Sequence, residues 1–213
     1  MIVAIVASGV LLLGGFAIGR LVMPADQTTP STTSAEAGFA RDMQTHHQQA
    51  VEMAIIVRDT TDNQDIKTLA YDIATSQGQQ AGQMFAWLRM WGLPQAASDP
   101  AMTWMAQPTL DSESGDSDST TMPGMTMPGT TMPAAAMPGL ATPQQIAALQ
   151  TATGADADKM FLELMIAHHT GGVEMAQALL ERSTNDIVTA LAGNIVRTQN
   201  SEMDYMNQLL AAY

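Results

Sequence analysis

Apolar residues recur at i, i+3, i+4 and i+7 along much of the chain, the period of helices that bury one stripe. Ile66, Leu69, Ala70 and Ile73 show it, and Ile187, Leu191 and Ile195 show it again. Four long helices in two hairpins are predicted. In the first hairpin, Thr33-x-x-Glu36 has the form of a capping box and opens a helix to about Thr60. Thr61-x-x-Gln64 opens the next, which ends near Trp91 with Gly92 as its C-terminal stop and Pro94 beyond. In the second hairpin a helix is expected from Ala155 to Arg182, with Gly171-Gly172 as a local weakness inside it. Thr184 or Asn185 then caps a helix to about Ala212, and a short helix from Pro143, capped by Thr142, precedes the hairpin.

The two hairpins are copies. Shifting the chain by 122 residues aligns 39–88 with 161–210 without a gap, and fifteen of the fifty pairs are identical. Among them are Met43/Met165, His46/His168, His47/His169, Met53/Met175, Gln77/Gln199 and Met84/Met206. Neither hairpin can bury its stripe alone, so the expected fold is all-α. It is a four-helix bundle with hairpin one over 34–92, a long crossover over 93–154 and hairpin two over 155–213. The crossover has no basic residue between Arg89 and Lys159, carries the acidic run 111–118, and is rich in Met, Pro and Gly over 122–139. Little fixed structure is expected there.

Before the bundle, residues 1–19 are apolar and uncharged, and the run continues past Arg20 to Met23. About 20 such residues suffice to cross a bilayer as a helix. The run lacks the basic start and small-residue cleavage site of a secretory signal. A single-pass anchor over 1–23 is therefore expected, with 24–33 as a tether; secretion after signal cleavage is the alternative.

Composition narrows the chemistry. With no cysteine, disulfide frameworks, thiolate metal sites and cysteine nucleophiles are excluded. Eight basic against 21 acidic residues leave a net charge of −13, which argues against a nucleic-acid partner. The 18 methionines outnumber the eight Lys and Arg and four His together.

All four histidines sit in the two repeated pairs. With Met43 at 0° on a helical wheel, His46 falls at about −60°, His47 at about +40°, Ala50 at about −20° and Met53 at about −80°. Met165, His168, His169, Gly172 and Met175 repeat that face, while Glu52 and Glu174 lie opposite, as expected of surface carboxylates. Methionine on such a face is ordinarily core filler. Four histidines confined to two equivalent pairs are not: burying imidazoles together is costly unless something binds them. Where a di-iron bundle carries Glu three residues before the histidine, this chain carries Met43 and Met165. Thioether with imidazole selects Cu(I), and by the same softness Ag(I). Met84 and Met206 on the partner helices are further candidates, as are Met122, Met125 and Met127 in the crossover.

The pattern FxxxMxxHHxxxVEMA at 39–54 and 161–176, with MFLELMIAHHTGGVEMAQ at 160–177 and the WGLP turn at 91–94, resembles the family called domain of unknown function 305. The resemblance covers about 34–213. It implies a ferritin-like four-helix bundle outside the cytoplasm whose members bind copper, and some silver, through Met and His in copper tolerance. Carried over, it points to Met43, His46, His47, Met53, Met165, His168, His169 and Met175, with Gly171-Gly172 standing where the family has bulkier residues. The expectation is a membrane-anchored Cu(I) sequestration or transfer protein, served by a copper donor or acceptor protein. The alternatives are a copper-dependent redox enzyme, for which no catalytic constellation is visible, and a structural envelope bundle without metal.

Overall fold

The computed structural model describes residues 29–113 and 137–213, and the expected anchor over 1–23 lies outside them. The described residues form an all-helical bundle with no strand. Helices α1 (Ala35–Thr60) and α2 (Gln64–Met90) make one hairpin, and α4 (Gly154–Leu180) and α5 (Asp186–Leu210) the other. A short α3 (Pro143–Thr151) precedes the second hairpin. Among the described residues no helix is long and apolar enough to cross a membrane.

Both inter-helix turns use one device. Asn63 Oδ1 accepts from the amides of Asp65 and Ile66, and Thr61 Oγ1 accepts from the Asn63 amide at 3.0 Å. Asn185 Oδ1 does the same for Ile187 and Val188, with Ser183 Oγ in the place of Thr61. Asparagine thus satisfies the orphan amides of each helix start. The expected cap at Thr61 is corrected: that hydroxyl supports the Asn63 backbone instead. The Thr33/Glu36 capping box is not formed either. Ser34 Oγ accepts from the Ala37 amide, and Glu36 reaches across to accept from Ser183 Oγ at 2.5 Å, tying α1 to the far turn. Asn185, not Thr184, caps α5. At the other end of α2, Gly92 takes φ 68° and Leu93 N–H donates to Leu88 O at 2.8 Å, a left-handed stop that favours glycine. Thr142 and Gln145 close a reciprocal capping box at the start of α3.

The hairpins dock through α1 against α4. Met43 and Met175 share one buried apolar cluster, and Met53 and Met165 share the other, so the two helices run antiparallel. The second cluster also takes Ile66, Leu69 and Ile73 of α2, Ile146 and Leu149 of α3, and Met206 of α5.

The crossover is structured at both ends, contrary to its composition. At the start, the buried Asp42 Oδ2 accepts from the Met102 amide at 2.7 Å and from Trp104 Nε1 at 2.9 Å. The Trp104 ring stands edge-on to Phe39 with centroids 5.9 Å apart, over Gly38, where a Cβ would collide with the indole. Arg41 donates to Pro94 O and to Thr32 O and Oγ1, so the end of the expected tether is held as well. At the far end, Gln49 clasps Ala141 through both backbone groups, at 2.7 and 2.9 Å. Removing one acceptor that serves two buried donors leaves both unpaired. Asp42→Ala is therefore expected to destabilise the fold by about 2–3 kcal/mol, read as a lower urea midpoint; an unchanged midpoint would show that the crossover start is not held by this carboxylate.

Candidate metal centre

The histidine pairs lie where α1 and α4 cross, in a layer between the two apolar clusters. All four side chains are 0 % exposed. His46 and His168, one from each repeat, pack against each other with ring centroids 3.7 Å apart and planes tilted by 37°. Gly172 lies under the Gln199 carboxamide and Gly171 under the Pro138 carbonyl, and a Cβ at either would collide with those groups. The glycine pair does not weaken α4, which runs through it unbroken; it is the seat on which α5 and the end of the crossover rest.

The hydrogen bonds of the rings fix their tautomers. His46 Nε2 donates to Pro138 O at 3.0 Å, and His168 Nε2 donates to His46 O at 2.9 Å. His169 Nε2 meets Glu202 Oε2 at 2.6 Å, and His47 Nε2 meets Gln80 Oε1 at 2.7 Å. Carbonyl and carboxylate oxygens accept only, so each Nε2 carries a hydrogen, and His46, His47 and His168, when neutral, keep their lone pair on Nδ1. All four Nδ1 atoms are buried and have no partner among the described residues. Both polar atoms of Gln77 and of Gln199 are likewise buried without a partner among the described residues. Buried polar atoms without a partner are rare in native folds, and an ion or ordered water commonly accounts for them.

Burial also sets the charge. It pushes His46 down to about 4, against a smaller upward push from the Pro138 hydrogen bond. It pushes His47 down to about 3, helped by the neighbouring His46. His168 lies well below the ordinary value, again through burial first and then His46 and His169. These rings are neutral donors rather than cations at neutral pH.

The methionines flank this layer on both sides. Met43, Met84 and Met175 belong to the first cluster and Met53, Met165 and Met206 to the second, all 0 % exposed. Glu52 and Glu174 are exposed, on the face away from the histidines. Met122, Met125 and Met127 lie outside the described residues, whereas Met137 is partly buried against the first cluster. Among the described residues no three His, Asp or Glu side chains converge as a hard-ion site would require. Thioether sulfur favours a soft ion, whereas imidazole nitrogen also suits borderline ions. Gln77 and Gln199 stand out in the sequence as an identical repeat pair, whereas nothing in it marks Gln80, Glu202 or the Pro138 carbonyl as part of this layer. Gln80 and Glu202 occupy equivalent places with different residues.

A family profile described as domain of unknown function (DUF305) matches residues 36–210. The crystal structure of a DUF305 protein from Streptomyces coelicolor, described as secreted, is similar at 42 % identity. The match covers 85 % of this chain and 95 % of that one, with a TM-score of 0.71. A DUF305 fragment from Deinococcus radiodurans is similar at 28 % identity over 84 % of this chain and 97 % of its own, with a TM-score of 0.62. CopM in its Cu(I)-bound form shares the fold at 23 % identity, covering 84 % and 96 %, with a TM-score of 0.58; it is also solved with Cu(II) and with silver. Nothing among curated proteins matches.

The depressed rings link stability to pH in a definite sense. From pH 6.5 down to about 4 for His46 and about 3 for His47, the unfolded chain binds protons that the folded chain refuses. This contribution is complete above pH 6.5 and is lost as pH falls, by about 1.4 kcal/mol per pH unit for each ring. Urea unfolding of the metal-free chain at pH 6.5 and pH 5 is expected to show the loss; equal midpoints would mean that the folded rings protonate normally. Gly171→Ala is expected to cost about 1–3 kcal/mol, the usual range for overfilling a packed contact, and an unaltered midpoint would contradict the contact with Pro138.

Proposed function

The chain belongs to the DUF305 family, and we propose that it is a soft-metal binding protein that holds Cu(I), and Ag(I) in its place, for sequestration or transfer. The observation that carries this reading is the set of four buried histidine Nδ1 atoms, without a partner among the described residues, in a layer between two clusters that hold six buried methionines. Neutral imidazole and thioether are the donors a soft monovalent ion prefers, and neither has to lose a proton to bind. The copper- and silver-bound forms of CopM, which shares the fold, support the same reading. So does the chain's net charge of −13, which draws cations over a short range.

We place the ferritin-like bundle outside the cytoplasm, held by the apolar segment 1–23. A structural relative described as secreted and the absence of cysteine favour that compartment, where thiols are oxidised and thioethers remain usable as ligands. The role is binding rather than catalysis, and the partner it calls for is a copper donor or acceptor protein.

Competition titration of the full chain with Cu(I) tests the proposal. Binding is expected to persist from pH 7 to pH 5, because His46 and His47 are already neutral there. Replacing all four histidines by Ala is expected to lower the affinity by more than about 100-fold, beyond what losing an outer hydrogen-bond partner gives. Ion bound only by the folded chain must also stabilise it, by about 2.7 kcal/mol at a hundredfold excess over Kd. Undiminished affinity in the histidine-free variant, or unchanged thermal stability with added Cu(I), would overturn it.

A further inference from the structure

The layer is symmetric in its ligands and asymmetric in what supports them. His47 and His169 are equivalent in the repeat, and so are their partners at positions 80 and 202. One partner is a neutral carboxamide, Gln80 at 2.7 Å, and the other a carboxylate, Glu202 at 2.6 Å. A carboxylate behind an imidazole N–H fixes the ring's tautomer and makes the opposite nitrogen a better donor than an amide oxygen does. It also places a negative charge beside a buried layer where screening is weak.

The surroundings repeat this asymmetry. The Glu202 side chain is 17 % exposed and opens into a groove of about 330 Å³ between α2 and α5, lined also by Asp65, Asp72 and Tyr205. In the other half of the repeat, the places of Asp65, Asp72 and Glu202 are held by Ile187, Asn194 and Gln80. Three carboxylates mark one side and none the other. A carboxylate that touches both the groove and His169 is the single-residue link between solvent and the layer on that side.

We propose that Glu202 makes the two halves of the histidine layer unequal, so that a soft cation engages His169 before His47. Glu202 is a positioning residue in this scheme: it acts through the ring of His169. The inference rests on the soft-metal reading above, and its test separates the two.

Ag(I) is diamagnetic, so the ring nitrogens of the full chain labelled with 15N-histidine can be followed through a stepwise Ag(I) titration. The Nδ1 signal of His169 is expected to move in the first steps and that of His47 later. In Glu202→Gln the two should move together, with apparent affinity at His169 lowered about tenfold. Glu202→Asp keeps the charge and should keep the order, and the exchange Gln80→Glu with Glu202→Gln should reverse it. His47 moving with or ahead of His169 in the unaltered chain, or the same order persisting in Glu202→Gln, would overturn the inference and leave the soft-metal reading standing. No movement of any ring would overturn both. If the double exchange does not fold, the two isolated changes at Glu202 decide the matter.

Discussion

Contact between the His46 and His168 rings, with centroids 3.7 Å apart, sets the terms for everything around it. Two imidazoles that close cannot both be charged in a buried layer, and the apolar clusters on either side keep out the water that would screen them. Gly172, three residues past His169 on α4, leaves room for the Gln199 carboxamide of α5 beside the layer. The Nε2 hydrogens of the two rings must be satisfied inside the protein, and they are, by the carbonyls of Pro138 and His46. What remains is a set of lone pairs with no function in holding the fold. The stability of the bundle is supplied by the clusters, while the layer between them is a local liability that a bound ion would relieve.

The crossover shares in this arrangement. Its start is fastened to α1 by Asp42, and its end by Gln49 and by His46 itself. Pro138 therefore belongs to the layer as much as any ligand: its carbonyl occupies His46 Nε2 and rests on Gly171. Any movement of the crossover end would reach the two rings through this carbonyl and through Gly139, which packs on the backbone of Ala167 and His168.

Much of this architecture is legible in the sequence, because a gapless repeat with helical period leaves few alternatives. The hairpins, the shared face of Met43, His46, His47 and Met53, and the outward Glu52 and Glu174 follow from spacing alone. The features that escaped depend on tertiary partners. Thr33 and Thr61 have the form of caps, but Ser34 and Asn63 stand one and two residues closer to the helices and take the amides. The crossover ends look structureless by composition, because nothing local shows that Asp42 will receive Trp104. Gly171-Gly172 looks like a flaw in a helix until Pro138 and Gln199 are found lying on it. Gln80 and Glu202 escaped for a different reason: a search for identity passes over the place where the copies differ.

That difference is available only because the copies share one chain. Two separate hairpins associating about a two-fold axis would present the same residue at both equivalent places, so a carboxylate gained behind one histidine would appear behind the other. Two like charges would then flank the same buried layer. The crossover makes the association intramolecular, and it also frees each half to vary alone. Fusion has thus let two equivalent histidines acquire different supports, Gln80 behind His47 and Glu202 behind His169.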